Sequence, residues 1–166
     1  MLSLIENIND VKSRYPKWKS NSRIVGQAGE DWIEQNYNCL DPDCKGLLQQ
    51  YNNNQPGKDL YCTSEGCGRT YQVKTGKSSS MKFNCKGILN ILGAEYSKTL
   101  ANDADYIFIG YSEDYDVEFL ATIENEKMKK SYIVPRKPLS LNARRAGWQG
   151  CYIKIPKESL TLLGSP

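Results

Sequence analysis

Four cysteines stand in two pairs of equal spacing, Cys39-x4-Cys44 and Cys62-x4-Cys67. Asp59 lies just before the second pair and the triplet Gln72-Val73-Lys74 just after it. A tight turn carrying two thiolates can bring both to one tetrahedral ion, and two such turns fill its shell. Pro42 and Gly66 supply the bends. A shell of four sulfurs is closed to substrate, so the ion expected on Cys39, Cys44, Cys62 and Cys67 is a structural Zn2+. Cys85 and Cys151 stand alone and read as core residues.

Asp59, Gln72 and Lys74 are the candidate catalytic residues. Residues 59–61 and 69–75 read as short strands. Two positions apart on a strand, Gln72 and Lys74 project from one face while Val73 turns into the core. Asp59 sits on the partner strand and can meet them. An acid, a second oxygen ligand and a lysine at one point suit phosphodiester cleavage with Mg2+, for which Asp59, Gln72 and Val73 are the expected binding positions. The lysine would orient water or neutralise charge on the phosphate. Glu30, in an upstream helix, could add an outer carboxylate. An Asp followed at a distance by (Asp/Glu)-x-Lys is the pattern of the PD-(D/E)xK nucleases. This chain differs at two points: Gly57-Lys58-Asp59 replaces Pro-Asp, and neutral Gln72 replaces the second acid.

The absence of histidine rules out Ser-His and Cys-His nucleophiles and histidine-ligated catalytic zinc. The 166 residues fit one domain, and 25% charged against 39% hydrophobic residues describe a chain that folds. No apolar run is long enough to span a bilayer, and the first ten residues read as an amphipathic helix on Leu2, Ile5, Ile8 and Val11 rather than a secretion leader. A cytoplasmic location without membrane association is expected, where paired cysteines favour metal over disulfides. The net charge of +3 is unevenly laid out. Residues 95–126 hold nine acids and one base, whereas residues 127–154 hold eight bases and no acid, a candidate surface for a polyanion.

The supporting elements follow from periodicity and turn residues. A second helix is predicted over 22–37, with Val25, Ala28, Trp32 and Ile33 on one side. Residues 39–68 read as loop-rich, and 75–84 as a polar surface loop in which Lys77 and Ser78 could contact phosphate. A helix is expected over 87–100, strands over 106–111, 117–123, 132–134 and 150–155, and a basic loop over 138–148. Together these give an α/β (α+β) fold, a mixed central sheet flanked by helices, with a zinc-binding insertion at 39–67.

The segment Arg136-Lys137-Pro138-Leu139-Ser140-Leu141-Asn142-Ala143-Arg144-Arg145-Ala146-Gly147-Trp148-Gln149-Gly150-Cys151 closely resembles the DpnI restriction endonuclease family. The resemblance takes in Lys19-Ser20-Asn21-Ser22, Glu30-Asp31-Trp32, both cysteine pairs, Asp59-Leu60-Tyr61-Cys62 and Gln72-Val73-Lys74. It implies a PD-(D/E)xK core with structural zinc and a Mg2+-dependent type II enzyme that cuts both strands of DNA at Gm6ATC-like sites carrying N6-methyladenine. It also implies a monomer, with a dimer on DNA as the alternative. It implies further that Arg144, Arg145 and Trp148 face the methylated bases. An apolar face such as that of Trp148 gains roughly 1–3 kcal/mol by covering one methyl in the major groove. The family's winged-helix domain is not expected within residues 1–166, which read as a single nuclease domain. Gln72 motivates a second expectation: a weak or inactive nuclease fold that binds modified DNA.

Overall fold

Ser3 opens the first helix with a reciprocal capping box to Glu6, and α1 runs over Leu4–Arg14. A computed structural model describes residues 2–81 and 86–166. The buried stripe of α1 is Leu4, Ile8 and Val11, whereas Leu2 and Ile5 face solvent, so the helix starts later and is rotated from the sequence expectation. Ser20 caps α2, Asn21–Asn36, through the Arg23 N–H. The face of α2 predicted from spacing, Val25, Ala28, Trp32 and Ile33, is buried. Buried Asn7 on α1 and exposed Gln35 on α2 exchange side-chain amide hydrogen bonds at 2.9 and 3.3 Å and tie the two helices together.

Strands β1 (Leu48–Gln55), β2 (Lys58–Cys62), β3 (Thr70–Lys77), β5 (Asp105–Tyr111), β6 (Val117–Ile123) and β9 (Thr161–Leu162) form a six-stranded mixed sheet in the order β1-β2-β3-β5-β6-β9. Among the described residues, only β3 and β5 run parallel. A second sheet, in the order β4-β8-β7, is built from β4 (Ile88–Glu95), β8 (Gly150–Pro156) and β7 (Ile133–Pro135). Short helices α3 (Ser78–Met81) and α4 (Tyr96–Leu100) complete the fold.

Alternation along β3 and β5 divides the core in two. Tyr71, Val73, Ile107 and Ile109 point to α1 and α2. Tyr106 and Phe108 point the other way and pack with Leu89, Ile91, Ile153 and Ile155 of the small sheet. The central sheet is therefore covered by helices on one face and by a second sheet on the other.

Three sequence expectations are corrected here. The predicted helix over 87–100 is β4 followed by the single turn of α4. Pairing with β8 makes it a strand, and Gly93 lets the two approach closely where the register shifts: a Cβ there would meet Cys151 Sγ at 2.7 Å. The loop-rich stretch over 39–68 contains β1. The polar loop over 75–84 is instead the end of β3 and then α3; its residues 82–84, like Cys85, lie outside the described residues. Cys151 is buried in the core as expected. Among the described residues, no helix is long and apolar enough to cross a membrane.

Candidate active site

Strands β2 and β3 pair at Leu60–Tyr71 and Tyr61–Thr70. Beyond that point the Asp59 side chain takes over: its Oδ2 accepts the Val73 N–H at 2.8 Å. In an extended residue the N–H and C=O point to the same side. The Val73 carbonyl therefore faces the gap that Asp59 occupies, while its side chain is buried under α2. Gln72 and Lys74 lie opposite Tyr106 and Phe108 in the parallel register and share their face. Gln72 Oε1 lies 3.9 Å from the Cβ position of Gly57, the left-handed residue (φ +70°) of the β1–β2 turn.

Glu30 reaches the same place from α2. The helix comes close because residue 29 is glycine: a Cβ there would lie 1.9 Å from Thr75 Oγ1 on β3. Burial, reinforced by the carboxylates of Asp59 and Asp31, pushes the Glu30 carboxyl up to about 8 against the opposing pull of Lys74. Burial also raises Asp59, opposed by the Val73 N–H and by Lys74. Burial lowers the Lys74 ammonium, opposed by Asp59, Cys151 and Glu30. Glu30, Asp59 and Lys74 thus form one electrostatic group. Two crowded carboxylates with raised proton affinity, on the side to which the Val73 carbonyl points, offer hard oxygen ligands that suit a divalent cation such as Mg2+.

Glu30 and Asp59 line a cleft of about 660 Å3 between α2 and the β1–β2 hairpin, whereas Lys74 lines a separate, smaller cavity with Gly76, Met81 and Ile91. The wall of the larger cleft is ordered by a network that periodicity does not reveal. Asp31, whose side chain is only 8% exposed, accepts from Arg14, from Gln27 at 3.0 Å and from Gln50 at 2.8 Å. Gln50 also donates to Glu34 at 2.7 Å. The Gln27–Asp31 spacing on α2 was the one readable signal of this network.

The four cysteines converge as predicted, with all four sulfurs within 4.8 Å of one another. Cys39 and Cys67 sulfurs are 3.7 Å apart, and those of Cys44 and Cys62 3.5 Å apart. A tetrahedral Zn–S distance of ~2.3 Å gives sulfur–sulfur edges of ~3.8 Å. The pairs in closest contact join one turn to the other. Gly46 and Ser64 N–H groups each donate to a sulfur at 3.4 Å, and Tyr71 Oη lies 3.2 Å from Cys39 Sγ. The Gly46 N–H is the largest influence drawing the Cys44 thiol down to about 7. The Arg69 N–H favours the Cys67 thiolate, yet burial and the other three sulfurs push that thiol up to about 12. Four thiols this close do not all ionise alone, and a soft divalent cation such as Zn2+ relieves the conflict.

The remaining expected residues lie at two further places. Lys77 pairs with Glu113 at 2.8 Å, and the Ser78 hydroxyl donates to Glu118, so both are engaged by acids. Arg144, Arg145 and Trp148 lie on the loop between β7 and β8. The loop is closed by Leu139 N–H to Trp148 O at 2.8 Å and Gly147 N–H to Leu139 O at 3.1 Å. The Arg145 guanidinium lies 4.4 Å over the Trp148 ring, while the half-buried indole rests against Gly150 with its buried N–H unpartnered among the described residues.

A six-stranded mixed sheet flanked by helices, with a four-sulfur knuckle beside the β2–β3 junction, is consistent with a nuclease-like fold. Residues 7–160 match the DpnI family, described as the Dam-replacing family. The match takes in nearly the whole chain, and the protein belongs to that family of methyl-directed restriction endonucleases.

Proposed function

We propose that the protein is a Mg2+-dependent type II endonuclease that cuts both strands of DNA at Gm6ATC-like sites containing N6-methyladenine. The observation that carries this reading is the Asp59–Val73 hydrogen bond at 2.8 Å, with Glu30 and Lys74 in the same electrostatic group. Asp59, the Val73 carbonyl and the Gln72 amide oxygen would hold Mg2+, with Glu30 in support. Bound there, the ion would polarise the phosphate and lower the pKa of a coordinated water. Lys74, its ammonium destabilised by burial, orients the attacking water and exchanges its proton. Asp59 locks the backbone of the triplet, so the amide oxygen of Gln72 and the amine of Lys74 keep a fixed spacing.

Methyl recognition falls to the loop carrying Arg144, Arg145 and Trp148. It leads into β8 at Gly150 and Cys151, and Cys151 is close enough to act electrostatically on Lys74. Lys77 and Ser78 would exchange their acidic partners for phosphate. Residues 1–166 act as one nuclease domain with the zinc knuckle at 39–67 inserted, working in the cytoplasm as a monomer that nicks each strand in turn.

Gln72 favours one other reading, a module that binds methylated DNA without cutting, because a neutral amide attracts a cation less than a carboxylate. A plasmid methylated at adenine in GATC sites, incubated with Mg2+ beside an unmethylated copy, separates the two. Linearisation and fragmentation of the methylated plasmid alone is the expected result, with Lys74→Ala inactive. Binding without strand breaks supports the module, and equal cutting of both plasmids overturns the methyl-directed reading.

A further inference from the structure

Three cations line the cleft beside Asp59: Arg14, Arg23 and Lys58. Two of them are occupied by acids. Arg14 pairs with Asp10 at 2.7 Å and with Asp31, and Lys58 pairs with Asp103 at 3.3 Å. Arg23 is different. Among the described residues its guanidinium has no carboxylate partner and no hydrogen bond, although Glu30, Asp31 and Asp59 line the same cleft. It lies over an aromatic ring, its central carbon 3.8 Å from the Trp18 centroid. Trp18 in turn stacks on Tyr15, with centroids 4.1 Å apart and planes 8° from parallel. Groups this close cannot share one face of the indole, so Tyr15 covers one side and Arg23 the other.

This three-layer stack restricts what the ledge can hold. Neither face of Trp18 is open, so a splayed base cannot stack there without displacing Arg23. The guanidinium itself keeps its planar edge of N–H donors free, and stacking has already removed much of its rotamer freedom. A pre-oriented fork of this kind matches a phosphate, which it can grip with two parallel hydrogen bonds. A cleft rich in carboxylates repels a polyanion, so an approaching backbone needs a cation not already paired with an acid. Arg23 is that cation among those lining the cleft.

We propose that Arg23, supported by Trp18, is a positioning residue that binds a backbone phosphate of DNA next to the one being cut. This rests on the nuclease reading above. The contact carries no sequence information; it sets the register of the strand along the cleft.

The test uses the full chain with Lys74→Ala, so that DNA is bound and not consumed. A fluorescein-labelled duplex with one GATC site methylated on both strands is titrated by anisotropy across a series of salt concentrations. Replacing Arg23 with Ala should weaken binding at low salt and lower the slope of log affinity against log salt by about one. Trp18→Ala should change the slope in the same direction, and the double variant should add little to Arg23→Ala alone. Arg23→Lys should retain most of the slope while losing affinity, because charge remains and the fork does not. Arg23 is solvent-exposed, so its variants are expected to fold as the parent does, which thermal melting checks.

An unchanged slope and affinity in Arg23→Ala overturns this contact, whether or not the parent enzyme cuts. A reduced slope alongside failure of the unmodified protein to cleave the same duplex in Mg2+ overturns the nuclease reading and leaves the contact standing. No binding of any duplex by the Lys74→Ala background overturns both.

Discussion

Thr75 lies directly beneath Gly29, with Oγ1 1.9 Å from the Cβ position that any other residue would need. That missing methyl lets α2 approach β3 and bring Glu30 beside Asp59 and Lys74. In an open helix Gly→Ala would gain about 1 kcal/mol of propensity. Here the added methyl must push a stiff, β-branched side chain or lift the helix, at a cost of roughly 1–3 kcal/mol. Gly29→Ala is therefore expected to lower Tm and reduce cleavage. The buried Thr75 hydroxyl has no hydrogen-bond partner among the described residues. Thr75→Ala should therefore be mild alone and should recover much of the loss in the double variant. Additive losses would show that the close approach is not the cause.

Gln72→Glu tests the one neutral position in the triplet. A second carboxylate opposite Tyr106 would add a charged oxygen to the set formed by Asp59 and the Val73 carbonyl. The Mg2+ concentration for half-maximal cleavage should fall, read from the nicking rate across a Mg2+ series. A higher requirement would mean that Gln72 is not in the ion's reach.

Glu30 makes the stability of the metal-free fold depend on pH. Its carboxyl is raised from 4.5 to about 8, so the folded state holds the proton more tightly than the unfolded chain. The neutral form stabilises the fold fully below pH 4.5, and this contribution is lost as pH rises towards 8. Glu30→Gln should match the parent near pH 4.5 and exceed it in stability near pH 8, by a few kcal/mol at most. Denaturant melts at the two pH values, without Mg2+, measure this. The same variant should lose cleavage. A stability gain that does not grow with pH would contradict the electrostatic origin.

The sulfur cluster predicts one zinc per chain by metal analysis. Cys62→Ser should release it, because Cys62 belongs both to β2 and to the cluster. Since β2 also carries Asp59, Tm and cleavage should fall together. Full activity in a zinc-free preparation would show that the knuckle does not support the strand.

The site was more legible in the sequence than the sheet that backs it. Gln72, Val73 and Lys74 announce themselves by strand alternation, and the cysteine pairs by spacing. Both are local signals. Strand β4 was hidden because Ile88, Ile91, Leu92 and Tyr96 fit helical spacing as well as Leu89 and Ile91 fit alternation. Its pairing with β8, about sixty residues away, decides the matter, and no local pattern carries that. Strand β1 was hidden for the opposite reason. It is an edge strand made almost wholly of Gln and Asn, with Gln50 bonding to Asp31 and Glu34 instead of filling a core. Glu30 is readable as a carboxylate on a helix; that it arrives at the triplet depends on the contact between Gly29 and Thr75.

Arg69 follows the cysteine knuckle directly and reaches three acids: Asp41 inside the knuckle at 3.2 Å, and Asp105 and Glu126 each at 3.4 Å. Asp105, only 8% exposed, begins the strand that runs parallel to the triplet and also accepts the Asn125 N–H at 2.8 Å. One guanidinium thus rivets three separate stretches of chain. Were it lost, Asp105 would be a stranded charge at the root of the central sheet, and slack in the sulfur-bound turn would no longer be held off the strands that carry Asp59 and the triplet.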